Sequence, residues 1–192
     1  MNKPKIHIIL GSVREGRAGE KVAKWFMNAM KDTESADLEL VDVRAYDLPF
    51  LTDPVSPAYQ QGAHPNANVQ KWREKIGEAD GYIFITPEYN HGVPGAFKNA
   101  VDHVYKEWNN KPIGFIGYGG IAGGSRSIEH WRQIAAELQM YDVREQVLIP
   151  IVWEAFDEQG NLKNSEIHAA TANTILNRVA TLATLLKPLR VK

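Results

Sequence analysis

Residues 5–21 read KIHIILGSVREGRAGEK and combine three features in one stretch. An apolar run with three isoleucines is followed by a turn rich in glycine and arginine, and then by the start of an amphipathic segment. A strand, a turn and a helix in this order are typical of proteins that hold a phosphate group at the amino end of the helix. The stretch therefore predicts a strand–turn–helix unit whose turn binds a phosphate-bearing ligand. The candidate ligands are of three kinds: a nucleoside triphosphate, a dinucleotide and a terminal monophosphate.

The rest of the chain repeats the alternation of short apolar runs and longer amphipathic segments. Strands are predicted at 5–10, 38–43, 81–86, 113–117 and 146–151, and helices at 18–31, 67–79, 94–107, 125–139 and 165–187. Such alternation predicts an α/β fold in which helices cover both faces of a parallel sheet. We expect a flavodoxin-like three-layer sandwich with the five strands in the order 2-1-3-4-5. A length of 192 residues suits one domain over residues 1–192.

Two ligands fit the first turn poorly. The spacing of Gly11 and Gly16 resembles that of a nucleoside triphosphate loop, but Ala18 stands where such a loop needs a hydroxyl for Mg²⁺. A dinucleotide turn needs the pattern G-x-G-x-x-G and an acidic residue after the second strand. Gly19 does not complete that pattern, and Asp42 alone near the end of the second strand is weak support.

A terminal monophosphate needs less. One hydroxyl, a few free amides at a helix start and one or two guanidinium groups can bind a dianion. The turn offers Ser12, Arg14, Arg17 and the amides of residues 16–19. The alternative is that the two arginines are solvated and that Ser12 only caps the helix.

Composition excludes several other classes of function. The 22 Lys and Arg residues balance 23 Asp and Glu residues, so charge gives no reason to expect nucleic acid or a membrane surface as partner. There is no cysteine, which excludes disulfides, thiolate metal sites and a thiol nucleophile. The six histidines lack metal-ligand spacing, and no apolar run is long enough to span a bilayer. We expect no metal, and a cytoplasmic location by default.

Two further segments follow predicted strands and have unusual sequences. TPEYNHGVPG follows the third strand, and GYGGIAGGSRS follows the fourth. In doubly wound sheets, ligands bind beyond the carboxyl ends of the strands, so these segments should join the first turn around one site. The glycines of the third segment would let a flat ring approach the backbone; they are Gly119, Gly120, Gly123 and Gly124.

At these motifs the sequence resembles the NAD(P)H-dependent FMN reductases. The resemblance lies in GSVREGR at 11–17, PEYN at 87–90, GVPGAFKNAVD at 92–102 and GYGG at 117–120. It implies bound FMN in a homodimer or homotetramer. The residues implied to bind FMN are Ser12, Arg14 and Arg17 at the phosphate, Pro87, Glu88, Tyr89 and Asn90 along the ring, and Tyr118, Gly119 and Gly120 at its pyrimidine end. The turn departs from several relatives, which carry Ser and Asn in place of Arg17 and Gly19.

The resemblance also implies a reaction. NADPH or NADH would pass a hydride to FMN, and a small acceptor would then take the electrons: a quinone, an azo compound, a metal oxyanion or free flavin. No catalytic side chain is expected, because the cofactor supplies the chemistry. The alternative is a non-enzymatic FMN electron carrier of the flavodoxin kind, although such carriers are usually strongly acidic. The long connection at 44–66 is either a flap or partner contact, or plain surface.

Overall fold

The computed structural model describes residues 3–190 and contains five strands and five α-helices in that range. The strands are β1 (Lys5–Leu10), β2 (Asp37–Asp42), β3 (Gly81–Pro87), β4 (Pro112–Tyr118) and β5 (Tyr141–Ile149). The helices are α1 (Gly19–Ala29), α2 (Ala67–Glu78), α3 (Gly95–Asp102), α4 (Ser125–Glu137) and α5 (Ser165–Leu186). Short 3₁₀ helices occupy Val43–Tyr46 and Lys187–Leu189. Residues 1, 2, 191 and 192 of the predicted domain lie outside the described residues.

The strands pair in parallel in the order β2-β1-β3-β4-β5, which confirms the predicted topology. Every residue of β3 and β4 is buried, as expected for central strands covered on both faces. Helices α1 and α5 pack on one face through side chains such as Phe26 and Ile175. Helices α2, α3 and α4 pack on the other face, where Trp72, Trp108 and Trp131 are fully buried. The result is the three-layer sandwich.

Two elements differ from the sequence prediction by five residues at one end, and the others by at most two. Strand β5 spans Tyr141–Ile149 rather than 146–151, because its first half lies at an edge of the sheet, is mostly exposed apart from Val143, and does not form an apolar run. Helix α3 ends at Asp102, five residues early. The carbonyl of Val101 accepts from the amide of Val104 and from the indole N–H of Trp108, so it is not available to continue the helix. Trp108 is nevertheless buried, as predicted for a core residue.

Hydrogen bonds beyond the strand ends bring three loops to one edge of the sheet. The amide of Gly11 donates to Ile85 O at 3.0 Å, and the amide of Glu88 donates to Tyr118 O at 3.2 Å. Gly11 must be glycine, because a Cβ there would lie 1.9 Å from the ring of Phe97. The loops after β1, β3 and β4 therefore start side by side. None of the helices within residues 3–190 has the length and apolar character needed to cross a membrane.

Candidate functional site

The three loops enclose a cavity of about 310 Å³ at the carboxyl edge of the sheet. Nine of the ten predicted site residues line it, and Asn90 is the exception. The nine are Ser12, Arg14, Arg17, Pro87, Glu88, Tyr89, Tyr118, Gly119 and Gly120. The topology therefore brings together residues that are more than 100 positions apart in the sequence, as expected for the switch point of a doubly wound sheet.

The two arginines of the first turn lie in different surroundings. Arg14 is exposed, and its guanidinium has no hydrogen-bond or ion-pair partner within residues 3–190; its nearest aromatic neighbour is Tyr89, 5.8 Å from guanidinium carbon to ring centroid. The guanidinium of Arg17 is bound on several sides. It forms a double hydrogen bond with Asp42, at 2.8 and 2.5 Å, and also donates to Glu20 and to the carbonyl of Ser12. Of these two arginines, Arg14 is the one whose charge has no partner in the described part of the chain.

The pairing of Arg17 also bears on the dinucleotide interpretation. Asp42 receives both terminal nitrogens of Arg17 and the amide of Arg44, so its carboxylate is occupied. Its hydrogen bond raises the pKa of Arg17 above the ordinary arginine value, so the guanidinium of Arg17 remains charged. Asp42 thus fastens the first turn to the end of β2 and is not presented to a ribose.

Ser12 is 1% exposed, and its hydroxyl lies 2.7 Å from the hydroxyl of Tyr89. If Tyr89 donates this hydrogen bond, the Ser12 proton remains available to a ligand. The main-chain amides of Gly16, Ala18 and Gly19 have no protein acceptor in the described part of the chain. A hydroxyl and free amides at the start of α1 are the donors that a phosphate requires.

Tyr118 places its two ends in different parts of the site. Its main-chain carbonyl accepts from Glu88, whereas its side chain reaches the first turn, where a Cβ on Gly19 would lie 2.4 Å from the phenol oxygen. That hydroxyl is buried and has no hydrogen-bond partner among residues 3–190. Burial raises the pKa of the Tyr118 phenol, which therefore remains a neutral donor. An unsatisfied buried donor beside a helix amino terminus fits an anionic ligand there.

The second loop makes a tight two-residue turn. Tyr89 and Gly92 exchange both main-chain hydrogen bonds, at 3.1 and 3.0 Å. Asn90 and His91 between them have φ values of 49° and 66°, the sign pattern of a type I′ turn. Asn90 is exposed and contributes the turn geometry, while Pro87, Glu88 and Tyr89 reach the cavity. His91 is an exposed loop residue.

The carboxylate of Glu88 binds Arg126 and not the cavity. One oxygen accepts from the Arg126 guanidinium at 2.6 Å and the other from the Arg126 amide at 3.1 Å. The side chain therefore caps the amino end of α4, where a negative charge is favourable. What Glu88 offers the cavity is its main chain and the stem of its side chain.

The glycines of the third loop have two separate roles. Gly119 and Gly120 line the cavity, and a Cβ on either would meet no atom closer than 3.6 Å. Gly124 has φ of 88°, and a Cβ there would lie 2.6 Å from the amide nitrogen of Tyr118. Gly123 likewise faces Pro150 of the chain itself, with φ of 59°. The expectation that all four glycines clear space for a ring is thus wrong for Gly123 and Gly124, which are required by loop packing against the sheet.

Sequence reasoning missed two residues of the cavity wall, Val152 and Trp153. They follow β5, whereas only the segments after the first, third and fourth strands were expected to contribute. The carboxyl end of β5 lies at the same edge because all five strands run in parallel. Two signals could have located these residues: parallel strands all end at the same edge of the sheet, and the sequence IVWEAF has a tryptophan shortly after the last strand.

Two other groups of polar residues lie outside the three-loop cavity. A larger cleft of about 650 Å³ lies between α4, β5 and α5, where Arg132 pairs with both Glu129 and Asp142. The residues His7, Glu39 and Glu78 place possible metal ligands within 4.8 Å of one another. The ammonium of Lys75 donates to both carboxylates, at 2.9 and 2.8 Å, and so occupies the position between them. The three-loop cavity has more unsatisfied donors than either group.

Comparisons with known proteins identify the family and agree with the fold. A family model described as NADPH-dependent FMN reductase matches residues 4–154. An NAD(P)H-dependent FMN reductase of Schizosaccharomyces pombe is 40% identical over 121 residues, which span 63% of this chain and 60% of that protein. An NAD(P)H:quinone oxidoreductase of Solanum tuberosum is 31% identical over 169 residues, 84% of each chain. The solved structure of FerB, a flavoenzyme NAD(P)H:(acceptor) oxidoreductase from Paracoccus denitrificans, has the same fold, with a TM-score of 0.70 at 21% identity over 96% of this chain and 98% of that one. The chain therefore belongs to the NADPH-dependent FMN reductase family, a family of oxidoreductase enzymes that use FMN with NAD(P)H.

Proposed function

We propose that this chain binds FMN in the three-loop cavity and transfers electrons from NADPH or NADH to a small acceptor. The observation that carries the proposal is the set of unsatisfied donors at one end of the cavity. These are the free guanidinium of Arg14, the amides at the start of α1 and the buried hydroxyl of Tyr118. They suit a terminal phosphate, and the backbone of Gly119 and Gly120 leaves space for a flat ring at the other end.

Each residue has a part in this proposal. Ser12 and Arg14 hold the phosphate, and Arg17 supports the turn through its ion pair with Asp42. Pro87, Glu88 and Tyr89 line the ring with main-chain groups, and Asn90 fixes the turn beside it. When bound, FMN supplies the redox chemistry: the nicotinamide gives a hydride and the acceptor takes the electrons. The protein excludes water from one side of the ring and positions the donor and the acceptor.

The acceptor class is the less specific part of the proposal. A quinone is our first choice, because the Solanum tuberosum relative is named for quinone reduction. An azo compound, a metal oxyanion or free flavin also suits a cavity whose wall at Gly119 and Gly120 is bare backbone.

We propose in addition that residues 1–192 form one domain and that the chain forms a homodimer or homotetramer. We also propose that it is cytoplasmic, where reduced nicotinamides are available. Exposed apolar residues such as Phe50 and Ile121 support self-association, which light scattering measures.

Steady-state kinetics tests the function. The purified holoprotein should oxidise NADPH or NADH in the presence of a quinone, with turnover that depends on bound FMN. Apoprotein prepared by flavin removal is the control and should regain turnover when FMN is added back. Holoprotein whose flavin is reduced once by a chemical reductant, but which shows no turnover with either nicotinamide, would identify an electron carrier and contradict the reductase proposal.

A further inference from the structure

Trp153 differs from the other four tryptophans of the chain. The side chain of Trp153 is 69% exposed, and its indole N–H has no acceptor within residues 3–190. The other four are buried, and their indoles donate to protein oxygens: Trp25 to Ser165, Trp72 to Ala100, Trp108 to Val101 and Trp131 to Thr86. A large exposed aromatic with an unused donor at the edge of a cavity indicates a contact with something that is not part of the chain.

The backbone holds Trp153 at this edge. The amide of Ile151 donates to Gly120 O and that of Val152 donates to Gly119 O, each at 3.0 Å. Ile151 has φ of 45°, a left-handed conformation that is strained for a β-branched residue. The segment after β5 is thereby turned back over the third loop. Because the strain is maintained by specific hydrogen bonds, the position of Trp153 is a built feature and not the random orientation of a surface side chain.

The indole lies beside the bare backbone of Gly120. A Cβ on Gly120 would lie 3.9 Å from the Cη2 atom of Trp153, which places the ring edge at the wall that the proposed function assigns to the flavin. A flat ligand resting on Gly119 and Gly120 would meet the indole without any movement of the backbone. Tyr89 lines the cavity as well, but its hydroxyl is engaged with Ser12.

We propose that Trp153 is a flavin-binding residue that places the edge of its indole beside the flavin ring and donates its N–H to a carbonyl oxygen of that ring. This inference rests on the proposed function, since it requires FMN in the cavity. A donor to a ring carbonyl stabilises the negative charge that the ring gains on reduction. Trp153 would thus both strengthen FMN binding and raise the midpoint potential of the bound flavin.

Fluorine NMR observes the contact directly. Protein labelled with 5-fluorotryptophan should give five resonances, and the one missing from Trp153→Phe is that of Trp153. In the apoprotein this resonance should show the largest solvent isotope shift, because its ring is exposed. Adding FMN should move it and reduce that isotope shift, whereas the resonance of the buried Trp72 stays in place. A Trp153 resonance that ignores bound FMN, or that moves only when a quinone is added to the holoprotein, overturns the assignment.

Two substitutions separate the ring contact from the hydrogen bond. Trp153→Ala should weaken FMN binding about tenfold, while Trp153→Phe, which keeps an aromatic ring, should remain within about threefold of wild type. Both should lower the midpoint potential of the bound flavin, because both lose the N–H. Ile167→Ala removes a comparably exposed apolar side chain from α5 and should change neither quantity. Unchanged affinity and potential in both Trp153 variants overturn the inference.

The outcomes distinguish this inference from the proposed function. A wild-type apoprotein that takes up no FMN contradicts both. FMN uptake that is weakened by Arg14→Ala and unaffected by Trp153→Ala leaves the proposed function standing and overturns only the role of Trp153.

Discussion

The two ends of the β-sheet treat polar groups in opposite ways. At the carboxyl end, Arg14, the hydroxyl of Tyr118 and the indole N–H of Trp153 have no protein partner in the described part of the chain. At the amino end, Arg190 is saturated: it pairs with Asp80 at 2.5 Å and donates to three main-chain carbonyls. These three donors at the carboxyl end remain available to a ligand, whereas the donors of Arg190 at the amino end are bonded within the protein and stabilise the fold.

The amino end also contains a buried lysine with a complete set of acceptors. The ammonium of Lys111 donates to Ile76 O and Gly77 O at the end of α2, and to the hydroxyl of Tyr82 at 3.0 Å. Burial lowers the pKa of Lys111 to about 7. Unsatisfied donors are thus tolerated where a ligand is to bind, and contacts elsewhere in the fold, such as those of Arg190 and Lys111, offset the stability that they cost.

Of the substitutions considered, removal of the Asp80 carboxylate should lower the free energy of unfolding the most. Asp80→Ala leaves Arg190 without its counter-ion and removes the acceptor of the Lys5 amide. We expect the free energy of unfolding to fall by about 4 kcal/mol, measured by urea denaturation. FMN affinity, measured at a temperature where the variant is folded, should remain unchanged. Asp32→Ala, at an exposed position, is the control and should change stability by less than about 0.5 kcal/mol. A loss as small as that for Asp80→Ala contradicts this account.

His7 should make the stability of the fold depend on pH. Burial lowers its pKa from 6.5 to about 4, against the opposing effect of Glu39; the other charged groups around it are Lys5, Lys75 and Glu78. Below pH 6.5 the unfolded chain binds a proton that the folded chain refuses, so stability is lost as pH falls from about 6.5 to 4. The loss should reach about 3 kcal/mol at pH 4.

The variant His7→Gln isolates this contribution. Its unfolding free energy should fall less steeply than that of wild type between pH 6.5 and 4, with the two curves parallel above pH 7.5. Denaturant unfolding at a series of pH values gives both curves. Curves that remain parallel throughout the acid range would show that His7 titrates equally in the folded and unfolded chain.

Arg14 tests the carboxyl end. Arg14→Ala should weaken FMN binding by about 1.5–3 kcal/mol, or about 10- to 150-fold, because a charge-assisted hydrogen bond to the phosphate is lost. Its unfolding free energy should change little, since Arg14 forms no ion pair with any residue between 3 and 190. Calorimetric titration of apoprotein with FMN measures the first, and Arg44→Ala, an exposed arginine outside the three-loop cavity, is the matched control. Equal affinity of the Arg14 variant and wild type would place the phosphate elsewhere.

Local sequence predicted the strands, their order and the three loops, because apolar periodicity and glycine-rich turns are local signals. It did not predict which arginine is free. Arg17 is neutralised by Asp42, 25 residues away, and only the folded chain brings the two together. Nor did it predict Trp153, whose place depends on the hydrogen bonds of Ile151 and Val152 to the third loop. The early end of α3 depends on Trp108, which takes a carbonyl of the helix after the chain has turned.

The bond between Arg17 and Asp42 has a consequence for how the protein acquires its flavin. It ties the first turn to the end of β2 by contacts internal to the chain, so we expect the turn proposed to bind the phosphate to be preorganised before any nucleotide arrives. Folding and cofactor loading are then separate events. A cell short of flavin would accumulate a folded, empty enzyme that becomes active as soon as supply recovers, without new synthesis.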